Sequence, residues 1–274
     1  MKKLLFLLSA LALIWTLSSC ETTETYNAPP IPPLEMATIP AEALEEMDPD
    51  TASTQRATYY NWLHAGVNLV VWNAAIYLNT AIPVAAFHTA VNQPVTYLGN
   101  GKFEWSYVYQ APAGLGGKTY DIVLTAEYIN TNADVEWVMT SSERGGFQNF
   151  IWYTGISSVN ENEASFTVNR NPGNPIPVYR IDYDRISGTS DFSIRFTDVN
   201  PNSNGIDGYL EYRVDSQNLD FNRAFDIKGG PNKPDLDTEI QWDEPNGNGR
   251  VKDSKRFGNN DWQCWDTNQA DVVC

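Results

Sequence analysis

The chain has 274 residues, 34 of them acidic and 18 basic, and a formal charge of −16. A surface this acidic repels nucleic acid and anionic headgroups at long range, which excludes nucleic-acid recognition as a function class. Its length is enough for one sizeable core once any leader is removed, and 9 Trp with 14 Tyr suit β-structure or an aromatic-lined surface.

Lys2 and Lys3 precede an almost wholly apolar run from Leu4 to Leu17. Basic residues before a short apolar run mark a secretory leader. The run is about 14 residues, short of the roughly 20 needed to span a bilayer. It ends Leu17-Ser18-Ser19-Cys20. This resembles the lipobox of bacterial lipoproteins: an apolar residue, two small residues, then cysteine. The resemblance implies cleavage before Cys20, a diacylglycerol on its thiol and attachment to the cell envelope. Two or three acyl chains hold a protein where one holds it only marginally. Glu21 follows, where Asp in some bacteria retains lipoproteins at the inner membrane, so the resemblance points to the outer membrane. Losing Lys2 and Lys3 with the leader takes the formal charge from −16 to −18.

The chain then reads as a leader over residues 1–19, a lipidated cysteine with a proline-rich linker over 20–56, and one β-rich domain over 57–274. Pro29, Pro30, Pro32, Pro33, Pro40 and Pro49 favour an extended tether, with a helical turn or two over Glu42 to Met47. No later segment reads as a long uncharged apolar run, which leaves lipid as the only strong membrane attachment.

Residues 57–80 predict a helix. Leu63, Val67, Val70, Ala74 and Leu78 recur at steps of three and four, and Asn61, His64, Asn68 and Asn79 fall opposite. Trp62, Leu69, Val71, Trp72 and Ile76 widen the apolar face, so most of the helix is expected to be buried. Pro83 should kink or restart it, with a second helix, or a strand, over Val84 to Val91.

From about residue 95 the period becomes two. Phe103, Trp105, Tyr107 and Tyr109 share one face, followed by Val135, Trp137 and Met139, then Phe166 and Val168. Tyr179, Ile181 and Tyr183 continue the habit, as do Phe192, Ile194 and Phe196; Leu210, Tyr212 and Val214; and Phe225 and Ile227. Turn clusters such as Gly99-Asn100-Gly101 and Asn171-Pro172-Gly173-Asn174 separate them. Short connections imply antiparallel neighbours. The expected fold is mainly β, a meander of eight to eleven strands curled into a barrel or half-barrel, with one or two amino-terminal helices covering or filling its apolar face. That architecture is similar to periplasmic lipoprotein-carrier domains, a likeness of shape alone.

Catalytic motifs are thin. His64 and His88 are the only histidines. There is no Gly-x-Ser-x-Gly elbow, phosphate-cradling Gly-x-x-x-x-Gly-Lys or His-Glu-x-x-His, so neither catalytic residues nor a cofactor is expected. Glu104, Glu127 and Glu136 read as a solvated sheet face beside the inward Trp105, Tyr128 and Trp137; a paired-acid glycosidase site is the alternative. Asp198, Asn200, Asn202 and Asp207 space oxygens as a calcium loop would, or form an ordinary turn. Trp152 reads as exposed, a possible sugar platform. Cys264 and Cys274 are expected to form a disulfide in an oxidising compartment, with two free thiols as the alternative. Two functions follow: a non-enzymatic envelope lipoprotein with a structural or apolar-ligand-binding role, or a surface carbohydrate-binding or carbohydrate-active protein. The expected partners are a membrane, through the lipid, and an apolar small molecule.

Overall fold

The structure is a computed structural model and describes residues 27–39, 58–218 and 220–274. The leader, Cys20 and the turns expected over Glu42 to Met47 lie outside those residues.

Fourteen antiparallel strands form one sheet in strict chain order. They are β1 Thr96–Gly99, β2 Lys102–Gln110, β3 Thr119–Ile129, β4 Asp134–Glu143, β5 Phe150–Ser158, β6 Glu163–Arg170 and β7 Ile176–Arg185. Then come β8 Phe192–Asp198, β9 Tyr209–Val214, β10 Arg223–Lys228, β11 Asp237–Trp242, β12 Gly249–Asp253, β13 Gln263–Trp265 and β14 Asp271–Val272. The sheet does not close: the order runs from β1 to β14 with no pairing between the two. The meander and the half-barrel match the sequence reading. The number of strands exceeds it, chiefly because β13 and β14 are only three and two residues long.

The one long helix among the described residues, α1, spans Tyr60–Thr89. It crosses the concave face. At one end the Asn61 side-chain amide donates to the Cys264 carbonyl at 2.9 Å. At the other, the Tyr107 hydroxyl donates to the Ala86 carbonyl at 2.6 Å. From residue 61 to 86 the helix advances about 38 Å. The eleven strand steps from β2 to β13 would cover about 53 Å if flat. One helix can touch both strands only if the sheet curls around it. Phe87 marks how deeply α1 is set, with its ring 5.5 Å from that of Trp137, 5.0 Å from Tyr153 and 5.8 Å from Phe166.

Three expectations about this region are corrected. α1 runs through Pro83 without a break, so there is no second helix over Val84 to Val91. A buried proline removes one backbone donor, and packing on both sides keeps the turn helical. The stripe Leu63, Val67, Val70 and Leu78 faces outward, while Trp62, Ala65, Gly66, Leu69 and Ile76 face the sheet. A helix that is apolar all round does not reveal its buried side by periodicity; here the small Ala65 and Gly66 allow close approach. Finally, no Asp, Glu, Lys or Arg occurs between Arg56 and Lys102, and Tyr60–Asn92 is long and apolar enough to cross a membrane by length and composition. A long uncharged run therefore does exist outside the leader. In this fold one side of it is packed on the sheet.

Part of the stretch read as tether is also core. Met36 is 0% exposed and Ile39 is buried. Pro32, Pro33, Leu34 and Ala37 line a crevice with Val84, Phe87 and His88. Prolines that favour an extended chain also bury well, since they bring few backbone donors needing partners.

On the convex face the register aligns Asp182, Arg195, Glu211, Asp226, Glu239 and Lys252 across six strands. Arg213 reaches Glu211 at 2.8 Å and also pairs with Asp226.

Candidate functional site

Between α1 and the middle strands lies a cleft of about 270 Å³. Its floor is Phe196 on β8, Leu210 on β9 and Ile227 on β10, all core side chains. Trp72, Ala75 and Ile76 of α1 form one wall. The space exists because α1 presents the single methyl of Ala75 where neighbouring turns present indole or isobutyl-sized groups. The lips are the loops over 198–208 and 229–236, which meet backbone to backbone. A Cβ on Gly230 would lie 1.8 Å from the Ile206 carbonyl oxygen, so only glycine allows the approach.

The lips are polar. Lys233, Asp198 and Tyr179 edge the opening, whereas Lys228 and Tyr209 turn their side chains to the convex face, the Tyr209 ring 4.4 Å under the Arg195 guanidinium. Lys228 pairs with Glu239 at 2.8 Å and with Asp237. Burial would lower its pKa, but these carboxylates raise it overall, so it stays charged. Burial pushes the Tyr179 hydroxyl above its ordinary range and the Asp198 charge adds to this, so it stays a neutral phenol. An apolar floor under a charged and hydrogen-bonding rim suits a molecule with a hydrocarbon end and a polar head.

A second hollow, about 620 Å³, is larger but opens widely at the rim near β8 to β10. Asp184, Asp191, Arg213, Asp215, Phe221 and Arg223 line it. Volume alone favours it, but every residue of its lining except Asp191 is half-buried or exposed, whereas the floor of the cleft is packed core.

The residues singled out from sequence are dispersed. Asp198 edges the cleft, but it and Asn200 are spent on their own loop. Asp198 accepts from the Asn200 N–H at 2.9 Å and from the Ser203 hydroxyl, and Asn200 accepts from the Asn202 N–H at 2.9 Å. Asp207 closes the turn at a φ of +65°. Among the described residues no group of three or more His, Cys, Asp or Glu is placed to hold a metal. His64 does orient on a carboxylate: its Nε2 is 2.9 Å from Asp253, a tie between α1 and β12 outside the cleft. His88 lies beside the buried 32–37 segment.

Glu127 stands opposite Glu136 on the sheet and pairs with Lys102 at 2.7 Å. Glu104 accepts from Ser106 at 3.0 Å. Trp105 and Trp137 point inward beside them, as a solvated sheet face requires. Trp152 is not exposed as expected. It is the extra residue where the β4–β5 register shifts, and its ring lies half-buried 4.9 Å from that of Tyr120. The bulge breaks the alternation on which the expectation rested. Cys264 and Cys274 are bonded, with Cα atoms 5.3 Å apart.

Sequence alternation placed Tyr179, Phe196, Leu210 and Ile227 on the inner face. It did not find Ala75 or Lys233. The absence of a bulky side chain at Ala75 makes the cleft, and a pattern of apolar residues carries no signal for that. In comparisons with family models, curated proteins and solved structures, nothing matches this chain.

Proposed function

We propose that this protein is a lipid-anchored, non-enzymatic lipoprotein of the cell envelope, on the outer membrane, that receives the apolar end of a small amphiphile in the cleft beneath α1. The observation that carries the reading is the core-lined cleft of about 270 Å³ with a rim of Lys233, Asp198 and Tyr179. Such a volume admits roughly nine groups of water or methylene size. That is a short hydrocarbon or one arm of a larger lipid, not a whole diacyl lipid. The lipobox at Leu17 to Cys20 supplies the anchor in this reading, and the scarcity of catalytic groups in the cleft favours holding over turnover.

Two measurements test it. Intact-mass analysis of protein from native membranes should give a chain starting at acylated Cys20; an unmodified chain retaining its first nineteen residues refutes the anchor. Organic extraction of the mildly purified protein should release a stoichiometric amphiphile. Fluorescence from Trp72 at the cleft wall should be quenched by a brominated fatty acid. An empty extract together with unquenched emission refutes the ligand.

The wider hollow favours a second reading, carbohydrate binding, because Asp184, Asp191 and Asn222 stand there beside Phe192 and Phe221. Planar polar groups next to rings suit sugar hydroxyls and apolar sugar faces. A blank glycan array with the full mature chain removes it.

A further inference from the structure

Val71 is 57% exposed and Leu78 is 77% exposed. With Leu63, Val67, Val70 and Tyr77 they form one outward stripe along α1. Contiguous apolar surface of this kind marks a contact site on a soluble domain. No charged residue interrupts it, because none occurs between Arg56 and Lys102.

The charges at its margin are basic. Arg256 lies over the Tyr60 ring at 4.8 Å, at the start of α1. Arg170 donates to the Asn79 side chain at 3.1 Å, about 28 Å further along. Lys233 stands between them, at the cleft opening beside Trp72 and Ala75. All three are exposed. The acids of this region are half-buried or paired: Asp253 against His64, Asp271 on the first helical N–H groups, Asp198 in its own loop, and the exposed Asp235 with Lys255. In a chain of charge −16, three exposed basic side chains along an uncharged apolar stripe set this margin apart.

We infer that this face of α1 lies flat on a phospholipid surface, with the stripe among the upper acyl chains and Arg170, Lys233 and Arg256 at the phosphates. Long basic side chains at the edge of an apolar helix face reach headgroups in this way. A transmembrane arrangement would strip Trp62, Leu69 and Phe87 from the sheet. A second copy packed antiparallel fits less well, since that sets one basic fringe against another. The cleft opens beside the stripe, so docking would bring its mouth to the bilayer. The contact goes beyond the anchor and does not depend on it.

The test uses the mature full-length protein on vesicles of phosphatidylcholine and phosphatidylglycerol. An environment-sensitive dye is placed at Val71→Cys, at Leu78→Cys and, on the convex face, at Ile156→Cys. The first two should shift to the blue and be quenched by lipids brominated on the acyl chain; the third should not. Arg170→Gln and Arg256→Gln should each lower the docked fraction, by roughly fivefold in the docking equilibrium. Absence of quenching at 71 and 78 overturns the inference. So does a blue shift at both positions without lipid, whether the protein sediments as a dimer or as a monomer whose own chain covers the face. If Cys20 proves unacylated the anchor reading fails, yet the same protein added to preformed vesicles should still float with them.

Discussion

Asp271 caps a helix that begins 211 residues before it. Its carboxylate accepts the backbone N–H of Tyr60 at 3.1 Å and that of Asn61 at 2.9 Å. The Asp271 N–H in turn donates to the Thr58 carbonyl at 2.8 Å. The local N-cap residue, Tyr59, supplies no side-chain cap. A negative charge at a helix amino terminus satisfies orphan donors and complements the helix dipole. Asp271→Ala should therefore cost about 1–2 kcal/mol in urea denaturation, and Asp271→Asn should recover part of that. An unchanged midpoint for the alanine variant would refute the cap.

The disulfide holds that cap in place. Cys264 lies in β13, Cys274 follows β14, and the bond closes a loop across ten positions in sequence. Cys264→Ser should destabilise the chain by about 3 kcal/mol, most of it through the freed unfolded state. Without the bond β14 is free to leave β13 and take Asp271 with it. The double variant with Asp271→Ala should then lose less than the two single losses combined. Strict additivity in that cycle would show that bond and cap act separately.

What the sequence made legible follows from which constraints are local. Period-two alternation placed Phe103, Trp105, Tyr107 and Tyr109 on the inner face, and all four are buried, because a strand with one wet face has only one way to orient. β13 and β14, three and two residues long, are too short to show a period. They exist because β12, the disulfide and Asp271 hold them. For α1 the failure was different in kind. Leu63 and Leu69 are equally apolar, yet only Leu69 is buried; the choice rests on Ala65 and Gly66 meeting the aromatic sheet, a tertiary fact. The cleft was hidden for the same reason. Its floor alternates legibly, while its opening depends on the size of Ala75 and on two distant loops meeting at Gly230.

Asp226 gives the convex face a pH signature. Burial raises its pKa above the ordinary 3.8, and the Arg213 guanidinium opposes this without cancelling it. A folded pKa above the unfolded one means the folded state binds the proton first as pH falls. The group therefore costs stability at neutrality, and the cost disappears as pH falls through its folded pKa. Relative to Asp226→Asn, the wild-type protein should gain stability as pH falls from neutrality to about 4, the ordinary range of an unfolded Asp. Arg213 keeps Glu211 as a partner at 2.8 Å in the variant, so the comparison does not strand a buried guanidinium. Urea midpoints of both proteins at the two pH values measure it, and a constant difference would contradict the assignment.

Ala75 tests the cleft without dismantling it. Its methyl faces an opening of about 270 Å³ rather than packed atoms. Ala75→Leu adds three carbons to that space while keeping a good helix former. The added carbons bury apolar surface instead of overpacking a filled core. The variant should fold with a midpoint equal to or above that of the wild type, and should lose most of the Trp72 quenching by brominated fatty acid. Val71→Leu, on the exposed side of the same helix, keeps the quenching, because it leaves the cleft untouched. Normal quenching in Ala75→Leu would place the fatty acid elsewhere, whatever the stability of the variant.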